Sequence, residues 1–138
     1  MQTFTLEDLA KETKWISESR RTRGGMKKNE MAVGFSNSKA GSPINRIIIK
    51  IGCDIIKLTK WKVNDKIILL HHPDDMLGCM LIRSDRNNGA KLNFQHMSTE
   101  ILRLQFQWSR PFIPQRKAPE ITPFMHVKSS NSLVFRAE

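Results

Sequence analysis

The chain has 138 residues, of which 39% are hydrophobic, and a formal charge of +10, with an isoelectric point near 10.1. That length suits one domain with an appended arm, and the apolar fraction suffices for a modest core. No apolar run approaches the roughly 20 residues that cross a bilayer, and residues 1–9 lack the basic start and apolar stretch of a secretory signal.

A cytoplasmic protein without a membrane segment is therefore expected, with Cys53 and Cys79 reduced. Lys and Arg outnumber Asp and Glu in each third of the sequence, which predicts a basic face on the folded body as well as a basic tail. Such a face suits a polyanion, most often nucleic acid, or an acidic protein surface.

Residues 5–18 have the pattern of a short helix. Thr5 and Asp8 stand at capping-box spacing, and Glu7, Asp8 and Glu12 suit the positive end of the helix dipole. Leu6, Leu9, Thr13 and Ile16 form a stripe too thin to fold alone, so this helix must pack on the body or on a partner. Trp15 is read as an anchor into the core. Arg20, Arg21, Arg23, Lys27 and Lys28 follow, interrupted by Gly24 and Gly25 and free of acids. They predict a phosphate-contacting arm. No phosphate-binding loop of the Gly-x-x-x-x-Gly-Lys-Ser/Thr type is present.

The body begins near residue 31. Residues 31–35 read as a strand and 36–43 as a loop. Residues 44–51 read as a buried central strand, because three consecutive isoleucines are stiff, β-branched and apolar on both faces. Gly52 ends it. Residues 53–60 fit two helical turns with Asp54 as cap. In that helix Ile55, Leu58 and Trp61 point one way, and Lys57 and Lys60 point away. A turn at 63–66 leads to a strand at 66–70, a bend at 71–75 and a return strand at 76–83.

Residues 85–89 form a turn-rich break, and 91–95 a short strand. Residues 102–108 alternate cleanly: Leu102, Leu104, Phe106 and Trp108 share one face, and Arg103, Gln105 and Gln107 the other. Pro111, Pro114, Pro119 and Pro123 predict an irregular extended connection. A hairpin of 124–128 and 133–136 closes the chain. The expected class is mainly β: a small barrel or two packed antiparallel sheets, with an N-terminal helix and one short internal helix. Residues 1–30 form the helix and arm, and 31–138 a single domain. Within that domain, 45–83 and 100–136 share a strand, crossover and hairpin pattern, which would let one chain close a barrel.

The strand Arg46–Ile51, the helix Ile55–Leu58 and the turn Asn64-Asp65-Lys66 before a hairpin resemble the AbrB/MazE-type swapped-hairpin family. Asn64 stands where that family usually has Gly, and Asn tolerates the left-handed conformation. The resemblance covers about 40 residues and implies half of a DNA-binding barrel that two chains complete. Here the second unit would supply the partner half, giving a monomer, and chain exchange would give a homodimer. The layout from Met31-Ala32-Val33-Gly34-Phe35-Ser36 to the last hairpin is also similar to small prophage-encoded proteins. That likeness implies a mobile-element protein, including the class of inhibitors that bind a host defence complex, as anti-CRISPR proteins do.

Potential metal ligands are dense only at His71, His72, Asp74 and Asp75, with Cys79 across the hairpin. Adjacent residues in a bend rarely converge on one ion, so a solvated turn and no metal are expected. His96 and His126 are isolated. Without a catalytic motif the reading is a non-enzyme with no cofactor. Alternation sends Phe106 and Trp108 to the core and leaves Arg103, Gln105 and Gln107 as a contact row. The leading expectation is non-catalytic nucleic-acid binding through Arg20, Arg21, Arg23, Lys27, Lys28, Arg46, Lys50, Lys57, Lys60, Lys62 and Arg103. The second is inhibition of a host nucleic-acid-handling complex by protein contact.

Overall fold

The computed structural model describes residues 26–36, 46–75, 77–108 and 117–137. The expected N-terminal helix, the loop after residue 36 and Arg20, Arg21 and Arg23 of the arm lie outside the described residues. The elements, in chain order, are β1 (Met31–Ser36), β2 (Arg46–Gly52), α1 (Cys53–Thr59), β3 (Lys66–His71), β4 (Gly78–Arg83), β5 (Ala90–Lys91), β6 (Asn93–Phe94), β7 (Ile101–Gln107), β8 (Lys117–Ile121), β9 (Phe124–Val127) and β10 (Ser132–Arg136).

They build two antiparallel five-stranded sheets. The first has the order β6-β7-β2-β1-β8, the second β5-β3-β4-β10-β9. The sheets pack face to face and do not close into a barrel, which corrects the expectation of self-closure. The reason lies in the pairing. The two hairpins lie side by side through β4 and β10, while β2 and β7 pair in the other sheet. Each sheet keeps its own edges, and the short segment 90–94 passes between them, with β5 on β3 and β6 on β7.

Strand alternation fills the space between the sheets. Ile47, Ile49 and Ile51 of β2 are buried with Val33 and Phe35 of β1 and Leu102 and Leu104 of β7. The opposing sheet contributes Ile67, Leu81, Phe124, Leu133 and Phe135. Each such side chain contributes about 1.5–3 kcal/mol on removal from water. As the triple isoleucine predicts, β2 is central, flanked by β1 and β7. A smaller apolar row crosses the outer side of the second sheet, where Leu70, Met80, Val134 and Met125 are successive cross-strand neighbours.

Three local expectations change. Residues 117–121 form strand β8, not an irregular connection, and pair with β1. Pro119 is tolerated because β8 is an edge strand, where a missing N–H breaks no ladder bond. The β1–β8 register shifts between Val33 and Phe35. There a Cβ on Gly34 would lie 2.7 Å from the Pro119 nitrogen, so the bare glycine admits the close approach.

The second change concerns Asp54, which does not cap α1: the N-cap is Gly52, with no side-chain cap bond. Backbone carbonyls take over the capping role. The Cys53 N–H donates to the Glu100 carbonyl at 2.8 Å, and the Asp54 N–H to that of Lys28 at 3.0 Å. These satisfy donors that a helix start leaves without intrahelical partners.

Third, α1 buries Ile55, Ile56 and Thr59, whereas Leu58 is 48% exposed. The helix follows β2 without a loop, so docking of the strand end sets its rotation, and a stripe read from the helix alone misplaces Leu58. Trp61 is buried as expected.

Candidate nucleic-acid interface

Because β2 sends its odd-numbered isoleucines inward, Arg46, Ile48 and Lys50 fall on the outer face of the first sheet. On β7, Arg103, Gln105 and Gln107 take that face for the same reason. The register sets Lys50 opposite Arg103, Ile48 opposite Gln105 and Arg46 opposite Gln107. Asn93 of β6 stands on the other side of Arg103. Arg103 donates from Nη2 to Gln105 Oε1 at 2.9 Å, which orients the guanidinium along the strand. Three sequence-predicted site residues, Arg46, Lys50 and Arg103, thus share one surface.

The charge pattern there is unfavourable for the free protein. Like charges directly opposite one another destabilise a sheet by roughly 0.2–1 kcal/mol. Two such pairs occur among the described residues: Lys50 with Arg103 on this face, and Lys66 of β3 with Lys91 of β5 in the second sheet. None of the four makes an ion pair among the described residues.

The segment 90–94 brings Lys91 to the first pair. Leu92 is buried in the core. Its carbonyl accepts the Asn64 N–H at 2.8 Å, and its N–H donates to the Asp65 carbonyl at 2.9 Å. Lys91, Lys50 and Arg103 then line one open depression of about 510 Å³ with Ala90, Asn93, Phe94, Gln95, His96 and Gln105. A second, of about 440 Å³, shares Lys50 and Gln95 and continues over Met26, Ala32, Ile101, Ala118 and Pro119. No acidic residue is among these lining groups.

The remaining predicted cations lie elsewhere. Lys28 pairs with Glu100 at 3.4 Å and Lys57 with Asp54 at 3.7 Å, all four side chains substantially exposed. The backbone N–H of Lys27 donates to Glu30 Oε1 at 2.8 Å, and that of Lys62 to Asp65 Oδ2 at 2.8 Å. Lys60 caps α1 in the left-handed conformation, with φ 60°. Lys28, before α1, and Lys57, in its last turn, therefore have local carboxylate partners, unlike Lys50 and Arg103. Lys66, Lys91, Asn93, Phe94, Gln95 and His96 escaped the sequence reading. The alternation of Lys91, Asn93 and Gln95 with Leu92 and Phe94 was the available signal, but it does not reveal which strands the segment joins.

The histidine bend also differs from expectation. His71 and His72 are buried, not part of a solvated turn. The His72 Nδ1 accepts the N–H groups of Asp74 at 3.1 Å and Asp75 at 3.0 Å, so the imidazole acts as a turn cap. The His71 ring meets Trp108 edge-on, with centroids 5.6 Å apart, and Trp108 meets Phe35 in the same manner at 5.4 Å. Trp108 thus faces the core, as alternation predicts, and Phe106 packs against it half-buried. Among the described residues no three His, Cys, Asp or Glu side chains gather as a metal site, and no helix is long and apolar enough to cross a membrane. No protein-family model matches the chain, and no curated protein or solved structure is significantly similar to it.

Proposed function

We propose that this is a non-catalytic, cytoplasmic nucleic-acid-binding protein of phage or mobile-element type, which holds the phosphate backbone on the outer face of its first sheet. The Lys50–Arg103 opposition, joined by Lys91 in a depression with no acid among its described lining residues, carries the reading. Two cations held face to face raise the energy of the free protein, and an anion between them removes that repulsion. Arg46 extends the basic row along β2. A polyanion gains further because each neutralised phosphate releases condensed counterions. The side-chain amides of Gln105, Asn93 and Gln95 add donors and acceptors without adding negative charge.

Fluorescence anisotropy with labelled duplex and single-stranded oligonucleotides of random sequence tests this reading. Binding is expected to weaken steeply between about 50 and about 200 mM salt. About four phosphate contacts correspond to a log–log slope near −3.6 on duplex. Absence of binding to either form at low salt would overturn the proposal. Recovery of a host nucleic-acid-handling complex from nuclease-treated lysate would then favour the inhibitor reading, in which the same cations meet an acidic protein surface.

A further inference from the structure

We infer that the face prefers single-stranded nucleic acid and that Phe94 is the platform on which an unpaired base stacks. This rests on the reading of the face as a phosphate-binding surface and adds the form of the ligand. Phe94 lies on the short edge strand β6 and shares the register of buried Leu102, so it stands at the rim of the outer face, where it is 45% exposed. It lines the same depression as Lys50, Lys91 and Arg103. An exposed aromatic residue at the rim of a depression that three cations line is the combination of features that single strands use: cations follow the backbone, and the ring accepts a base face. In a duplex those faces are already covered by neighbouring base pairs, so Phe94 gains nothing from one.

The surroundings fit the same ligand. Asn93, Gln95 and Gln105 present amides that both donate and accept, and His96 adds an exposed imidazole. Base edges freed from pairing offer the complementary groups. A volume of about 510 Å³ is within the range of roughly 300–1,000 Å³ typical of ligand clefts. Lys50 and Gln95 border both depressions, so a strand leaving the Phe94 end continues over Lys50 towards Pro119. Phe94 itself is held by a fixed backbone: Leu92 is bonded to the 64–65 turn, and the Gln95 N–H donates to the Ile101 carbonyl at 2.8 Å. A pre-positioned ring loses little freedom on binding.

The test measures anisotropy of labelled oligothymidine and oligouridine of about 12 nucleotides, a length within known site sizes, alongside a duplex of random sequence. Phe94→Leu keeps an apolar side chain and removes the ring. It is expected to weaken single-strand binding roughly 5- to 150-fold, the span of one lost base stack, with duplex binding unchanged. Phe94→Trp is expected to restore the affinity and to show quenched indole fluorescence on binding. Comparison of the thymidine and uridine probes distinguishes a DNA from an RNA ligand. If Phe94→Leu leaves single-strand binding intact, or weakens both forms equally, the stacking inference is overturned while the phosphate-binding reading survives. If the unmodified protein binds no probe at all, both are overturned.

Discussion

Lys50 of β2 and Arg103 of β7 are direct cross-strand partners on the outer face of the first sheet. The Arg103 guanidinium is further bonded to Gln105, so neither cation is paired to an acid there among the described residues. Removing one of them relieves repulsion. Lys50→Gln is expected to stabilise the protein by about 0.5 kcal/mol at low salt, with the gain shrinking at high salt, while nucleic-acid binding weakens. Urea midpoints at two ionic strengths check the stability arm. A loss of stability at low salt would show that the pair is not repulsive.

Gly52 tests how α1 is docked. A Cβ there would lie 2.0 Å from the Lys28 carbonyl oxygen, the same oxygen that accepts the Asp54 N–H. Gly52→Ala is expected to destabilise by about 1–3 kcal/mol through this backbone clash, measured by urea unfolding. A neutral result would mean that the 27–30 turn yields without loss.

The face of α1 gives a paired prediction. Ile56→Ala is expected to lose about 2–5 kcal/mol, as buried aliphatic truncations do. Leu58→Ala, on the exposed side, should stay within about 0.5 kcal/mol of the parent. Reversed magnitudes in thermal or urea unfolding would restore the rotation read from the sequence.

Asn64 has φ 79°, the left-handed conformation its place in the turn suggested. Asn64→Val is expected to destabilise by about 1–2 kcal/mol, because a β-branched side chain is disfavoured there. Asn64→Gly should be tolerated. Equal stabilities of the two variants would remove the backbone explanation. The same turn holds Leu92, so loss of order at Asn64 should also weaken binding at Lys91 and Phe94.

Much of this fold was legible where side-chain period and burial agree. The isoleucines of β2 marked a central strand, and the alternation of β7 turned Arg103 outward; that Arg46 and Lys50 also face outward follows from the burial of β2 in the sheet. Strand β8 was obscured by Pro119, whose edge position only the pairing with β1 reveals. Asp54 looked like a cap because carbonyls from Lys28 and Glu100, distant in sequence, do that work. The site was half visible for the same reason. Which residue faces Lys50, and that Lys91 crosses between sheets to join it, depends on long-range register. His71 and His72 looked solvated because the ring of Trp108 and the backbone amides of the bend that enclose them come from the fold.

In the proposed function the outer sheet face, and not the end of α1, binds the polyanion. The direct measurement compares two double variants by anisotropy over a salt series. Lys50→Gln with Arg103→Gln is expected to reduce the magnitude of the log–log salt slope by about 2, roughly 1 per lost phosphate contact. Lys57→Gln with Lys60→Gln should leave affinity and slope near the parent values. The opposite pattern, with the helix variant losing slope and the sheet variant binding normally, would contradict the account.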